Sequence, residues 1–472
     1  MRRKRGLAGR HKVVIFLTLS VTLLLFAASS VGTTERIYAD AQNTATPVSH
    51  VVIVMMENHS FDNIFGAYPS ANRTANNSTT LSQIIAPNNL LNAPSPEVSQ
   101  VPAGEYSTRN PVEGYGVYHS DWDGGKMDGF AKNSGSLSMT HFTSSQLSLE
   151  WNWAEEYGLG DNYFASFLGE TDPNRLFSLA GFSSVTADYG PPPYISVNDS
   201  ILAQLSNAGV PWRYYIEEPS QSLFPLNYFS GIETYSANIG SWNEFFSSLS
   251  SGSLPSVSWV MPVGGGAESV SQHPPENVTQ GEVWLERIVN SVMESKYWDS
   301  SAIFVTYDEG GGYYDHVAPP VIDGTQLGFR VPLLVISPFS KEGYVSHTLL
   351  NHDSLLSFIE YNWGLPALNQ FVGDSNVPLD FFDFGSSRLP LIFSASTTFP
   401  QPLQMRSSQL SYAREGSSDI TLNHTTLDST TVNENNNVQG IPSLAIEIFV
   451  ASFAVFAFGV VLGGRKKKKK SR

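Results

Sequence analysis

Four short apolar runs punctuate the middle of the chain: HVVIVMM at 50–56, SVSWVM at 256–261, AIFVTY at 302–307 and VPLLVIS at 331–337. Each is nearly continuous rather than alternating, which predicts strands covered on both faces, as in a parallel sheet between helices. GEVWLERIVNSVMES at 281–295 and HDSLLSFIEYNWG at 352–364 carry the helical signal. This alternation predicts an α/β protein, a three-layer α/β/α sandwich around a mostly parallel central sheet. The stretches 95–165 and 185–250, rich in Gly, Ser, Pro and aromatic residues, show little periodicity. They are expected as insertions that wall a site rather than as core elements.

The two ends follow different patterns. A basic start and the apolar run VVIFLTLSVTLLLFAASSV predict a signal peptide or signal anchor over residues 1–41, with ADA at 39–41 as a cleavage signal. The folded catalytic domain is expected over 48–395, followed by a Ser-, Thr- and Asn-rich stalk over 396–440. Residues 441–464 are apolar for the length of a bilayer and end in RKKKKKSR, which predicts a transmembrane helix with a cytoplasmic tail at 465–472. The expected location is thus the cell membrane, single-pass, with the catalytic domain outside. Seven N-x-[ST] sequences, at Asn58, Asn72, Asn76, Asn77, Asn198, Asn277 and Asn423, suit an exterior location.

Charge sharpens this picture. Thirteen of the 27 basic residues lie within residues 1–12 and 465–472, leaving 14 basic against 43 acidic residues between them. Such a body repels nucleic acid. With no cysteine, disulfides and thiol chemistry are excluded, and a metal must be held by oxygen and imidazole.

Candidate chemistry gathers at strand ends. The 50–56 run leads into Glu57 and Asn58, and the 302–307 run into Asp308 and Glu309. In open α/β sheets that edge binds ligands, and four hard oxygen groups brought together there call for a cation. In GETDPNRLF, Asp172 is expected as an N-cap and Pro173 as the first helical residue, so Thr171 stands at a helix mouth suited to an anion. His119, His273 and His316 lie in Gly- or Pro-rich loops beside acidic residues, with His347 and His352 as weaker candidates. A divalent metal among Glu57, Asn58, Asp308, Glu309 and Thr171 would favour phosphate-ester chemistry at the threonine hydroxyl.

The blocks VVIVMMENHSFDNIFGAYP, DWDGGKMDGF, GETDPNRLF, SAIFVTYDEGGGYYDHVAPP, GFRVPLLVISPFS and HDSLLSFIE follow one another over residues 48–365. In this order they resemble the phosphoesterase family of bacterial non-specific phospholipases C and metal-dependent acid phosphatases, related in fold to the alkaline phosphatase superfamily. The resemblance implies that Glu57, Asn58, Asp308 and Glu309 bind a divalent metal with Thr171, that Thr171 is the nucleophile forming a phosphothreonine, and that His119, His273 and His316 serve the phosphate or the leaving oxygen. It also implies a phosphate-ester substrate, lipid or small molecule. Two alternatives are a non-catalytic surface-anchored binding protein on the same fold and a sulfatase-like hydrolase. Thr171 stands where sulfatases commonly carry a modified cysteine or serine, which disfavours the latter.

Overall fold

The computed structural model describes residues 44–66, 68–69, 110–189, 194–219, 222–262, 269–322 and 324–395. The chain divides into units 1–403 and 404–472, and every described residue falls in the first.

An eight-stranded sheet forms its centre. In chain order the strands are β1 (His50–Met56), β2 (Gly158–Gly160), β3 (Trp212–Ile216), β4 (Ile239–Ser241), β5 (Val257–Val260), β6 (Ser301–Tyr307), β7 (Leu333–Ile336) and β8 (Tyr344–Ser346). Across the sheet they run β8-β2-β7-β6-β1-β5-β3-β4. All pairings are parallel except those of β7, which runs antiparallel to both β6 and β2. The four apolar runs are thus strands as expected, and every residue of β1 and β6 is buried. Unbroken Val, Ile and aromatic positions are what a doubly covered strand requires.

The covering helices are α1 (Phe61–Phe65), α2 (Tyr115–Trp122), α3 (Ser148–Glu156), α4 (Thr171–Ala180), α5 (Ile201–Ala208), α6 (Trp242–Ser251), α7 (Val278–Met293) and α8 (His352–Trp363). Helices α3, α6 and α7 pack together as one group; α4 packs on α5 and α8 as another. The result is the expected α/β/α sandwich. Its core is dense with aromatic residues, including Trp153, Trp212 and Trp259, each at most 1% exposed. Emptying such a position, as in Trp259→Ala, costs about 3–5 kcal/mol.

Two expectations need correction. The weakly periodic stretches are not merely insertions: β2, β3, β4, α2, α3, α5 and α6 all lie within them. Three-residue strands such as β2 and β4 are too short to show a period. Second, the single-pass membrane location is not supported, because no helix among the described residues is long and apolar enough to cross a membrane. The 16-residue α7 is short of the roughly 20 residues a span needs and carries Glu282, Glu286 and Arg287. The expected signal segment, stalk, span and tail lie outside the described residues.

Candidate active site

Register builds the site. Met56 pairs with Tyr307 at the end of the β1–β6 ladder, so the next residues, Glu57 and Asp308, leave the sheet side by side. Asn58 then turns back in the left-handed region, φ 65°, which asparagine tolerates better than most residues. Its backbone N–H donates to Asp308 Oδ1 at 3.1 Å, and the Glu309 N–H donates to the same oxygen at 2.8 Å. Beyond Glu309 the chain passes so close that a Cβ on Gly311 would lie 2.1 Å from the Asn58 carbonyl oxygen. Only glycine fits there, and its N–H donates to Glu309 Oε2 at 2.7 Å.

Helix α4 supplies the cation. Arg175 is 3% exposed; its Nε donates to Asp308 Oδ2 at 3.1 Å, and Nη2 lies 3.4 Å from Glu57 Oε1. The same guanidinium donates to the carbonyl oxygens of Met55 and Met56, both at 3.0 Å, closing the C-terminal end of β1. A buried arginine needs such multiple acceptors. Thr171 is the first residue of α4, one turn before Arg175, and residues four apart share a helix face. The cap differs from expectation by two residues. Glu170 is the N-cap, and the Asp172 carboxylate instead accepts from the Tyr189 N–H at 3.0 Å and from the Tyr228 hydroxyl.

Two more groups complete this cluster. Asn58 Nδ2 donates to Glu113 Oε1 at 3.0 Å and lies 3.2 Å from His273 Nε2. Burial pushes the Glu57 carboxyl up to about 7, with Arg175 opposing the rise and Asp308 adding to it. Burial likewise raises Glu309 well above the carboxylate range, helped by Glu113 and Asp308. For His273, burial favours the neutral ring, yet the Glu57 and Glu113 carboxylates outweigh it and raise the imidazole. Glu57, Glu113, Asp308 and Glu309 thus outnumber the positive groups, Arg175 and His273. Asn58 Oδ1 is buried with no hydrogen-bond partner among the described residues.

The structure brings Glu57, Asn58, Asp308, Glu309 and His273 together, and the other candidate histidines have further partners of their own. Nδ1 of His316 lies 2.7 Å from Asp62 Oδ2, in a neighbouring group in which Arg330 contacts Asp62 at 2.9 Å and Asp315 at 3.1 Å. The ligand atoms of Asp62, Asp315 and His316 lie within 4.8 Å of one another, so this trio could also hold an ion. Nδ1 of His119 lies 2.8 Å from the Tyr115 carbonyl oxygen on its own helix. His347 is paired to Asp161 at an exposed position, whereas buried His352 supports the site from behind, its Nε2 2.7 Å from the Asp308 carbonyl oxygen. Asn58, one of the N-x-[ST] positions, is 1% exposed and so is no acceptor for a glycan.

Arg175, Glu113, Asp62 and Arg330 are missing from the sequence reading. Arg175 could have been found from its four-residue spacing to Thr171. Glu113 sits in an unpatterned loop and carries no comparable signal.

Carboxylates gathered at a strand edge and tied to α4 through Arg175 suit a phosphoric ester hydrolase. The chain belongs to the Phosphoesterase family, whose sequence profile matches residues 48–366. It is 28% identical over 395 residues to "Phospholipase C B" of Mycobacterium tuberculosis, covering 69% of this chain and 75% of that protein. It is 26% identical to "Non-hemolytic phospholipase C" of Burkholderia pseudomallei, covering 67% and 55% of the two chains. "Non-specific phospholipase C4" of Arabidopsis thaliana is 25% identical, covering 64% of each. Among solved structures, an alkaline phosphatase superfamily protein from Vibrio parahaemolyticus aligns with 12% identity over 72% of each chain, at a TM-score of 0.36. So distant a likeness says nothing about this chain's chemistry. The family membership sets aside the non-catalytic alternative.

Proposed function

We propose that the protein hydrolyses phosphate esters of the phospholipase C type through a phosphothreonine at Thr171, beside a divalent cation held by Glu57, Asn58, Asp308 and Glu309. The observation that carries this reading is Asn58 Oδ1, a buried amide oxygen without a hydrogen-bond partner among the described residues, set where carboxylates outnumber cations. Carboxylate and amide oxygens are the donor set of a hard divalent ion. When bound, that ion supplies positive charge to the reacting phosphoryl group.

The chain's own residues account for the rest. The first-turn N–H groups and dipole of α4 favour a phosphoryl group at Thr171, and Arg175 keeps Glu57 and Asp308 ordered on the same face. In the first step the Thr171 hydroxyl releases its proton to water, and Oγ1 bonds to phosphorus as the bond to the leaving alcohol oxygen breaks. That oxygen takes a proton from an imidazolium and departs neutral. His273, raised by its acidic neighbours and 3.2 Å from Asn58, suits this role, with His316 and His119 as the other histidine candidates. In the second step water gives a proton to the now neutral imidazole and bonds to phosphorus, the bond to Oγ1 breaks, and Oγ1 takes a proton from solvent to restore the threonine hydroxyl. The lipid leaving group is proposed from the relatives, several of which are named as phospholipases C.

The test is turnover of para-nitrophenyl phosphate and para-nitrophenyl phosphorylcholine, with and without chelator, by native protein and Thr171→Ala. Loss on the order of 10³-fold or more is expected for the variant. Turnover that survives both chelation and the substitution overturns the mechanism.

A further inference from the structure

Gln272, the residue before His273, has a left-handed backbone, φ 68°, and is completely buried. For a residue with a long side chain that conformation costs on the order of 1–2 kcal/mol, so something must hold it. Its side chain is gripped at both ends. Nε2 donates to Glu150 Oε1 at 3.1 Å and to the Val278 carbonyl oxygen at 3.2 Å, while Oε1 accepts from the Tyr307 hydroxyl at 2.5 Å. Its own carbonyl oxygen lies 2.8 Å from His59 Nε2.

The helix beside it is shaped for this side chain. Gly281 lies inside α7, where glycine costs about 1 kcal/mol relative to alanine. A Cβ at that position would lie 2.2 Å from Gln272 Cγ. Behind Gln272, Glu150 faces Glu282, whose Oε1 accepts the Leu149 N–H at 2.8 Å. Burial raises both carboxyls, and Glu150 adds to the rise of Glu282, so the pair retains a proton and keeps an acceptor for the glutamine amide.

We infer that Gln272 is a positioning residue: clamped by Glu150, Tyr307 and α7, it fixes the backbone turn that aims His273 at Asn58. This rests on the proposed part of His273 in the reaction. His273 itself makes local contacts, its N–H to Ser271 Oγ at 3.2 Å and its Nδ1 2.6 Å from the Pro274 carbonyl oxygen, so its direction follows from where the turn places the backbone.

The experiment measures kcat and KM for Gln272→Met, which keeps the length but loses the amide, in the native and the His273→Ala backgrounds. A roughly tenfold fall in kcat with KM within about twofold is expected in the first, and no further fall in the second. Gly281→Ala should lower kcat as well, and adding Gln272→Ala, which removes the atom the new methyl would strike, should bring no further loss beyond that of Gln272→Ala alone. Glu150→Gln, which keeps an acceptor oxygen, should retain kcat where Glu150→Leu loses it; this holds as the deciding comparison if Gln272→Met does not fold. Native kcat in Gln272→Met, or an equal fall in both backgrounds, overturns the proposal while leaving the reaction intact. Full turnover by His273→Ala instead overturns the reading of that histidine, and this inference with it.

Discussion

Two carboxylate clusters lie where β1 and β6 leave the sheet, and they solve the same electrostatic problem differently. Around Asp62 and Asp315, Arg330 reaches both carboxylates, lies over the Phe61 ring at 4.2 Å, and is joined by His316. His316, then Arg330, more than offset the cost of burying Asp62 and hold its carboxyl below the usual range. Around Asp308 and Glu309, Arg175 reaches Asp308 and Glu57 but has no ion pair to Glu309, and burial drives Glu309 strongly upward. In the first group a guanidinium answers both carboxylates, although burial still pushes Asp315 up to about 6. An acidic cluster short of cations, with an unmatched amide oxygen, is poised to take one from solution.

The sharpest way to break that comparison is Glu309→Gln. The substitution keeps the shape and replaces a carboxyl whose ionisation burial opposes with an amide that cannot ionise. Turnover should fall on the order of 10³-fold and bound metal, counted by elemental mass spectrometry, should be lost, while the melting temperature is unchanged or raised. Retention of stoichiometric metal with a lowered melting temperature would show that the cluster was already balanced.

Arg330→Met reverses the pattern. It strands Asp62 and Asp315 without their guanidinium, which should cost about 3–5 kcal/mol in urea unfolding while metal stoichiometry stays native. Loss of the metal in this variant would make the second cluster the ion's site after all. His316→Gln tests the same border more gently. Turnover should fall about 10²-fold with metal content unchanged, because His316 is bonded to Asp62 rather than to the cation-poor cluster.

Much of this edge was legible in the sequence. The run HVVIVMM became β1 residue for residue, and the polar pairs after it and after β6 met in space because parallel register sets their strand ends level. What escaped were partners far apart in the chain. Arg175 sits 118 positions from Glu57, and Arg330 lies 268 from Asp62. A buried arginine looks like any helix or loop arginine until the fold encloses it. His316 gained its partner in the same way: the turn through Gly311 and Gly312, φ 62° and 68°, carries it to Asp62. The antiparallel β7 was hidden too, since an apolar run has no direction.

Another buried carboxyl, Asp353 on α8, extends the comparison to a place where no cation pairs with it among the described residues. It is fully buried and accepts a hydrogen bond from Ser166 Oγ at 2.6 Å, and burial pushes it up to about 8. Its folded-state pKa therefore stands above the unfolded value of 3.8, so the folded state holds the proton more tightly. The resulting stabilisation is complete below about pH 4 and is lost progressively as pH rises toward and through about 8. Asp353→Asn keeps an acceptor for Ser166 and removes the titration. Between about pH 5 and pH 8 the native protein should lose urea stability relative to this variant, a change of slope rather than a collapse. Parallel slopes would mean that Asp353 ionises as readily in the folded protein as in the unfolded chain, and that hydrogen bonds without a cation are enough to keep a carboxylate in this interior.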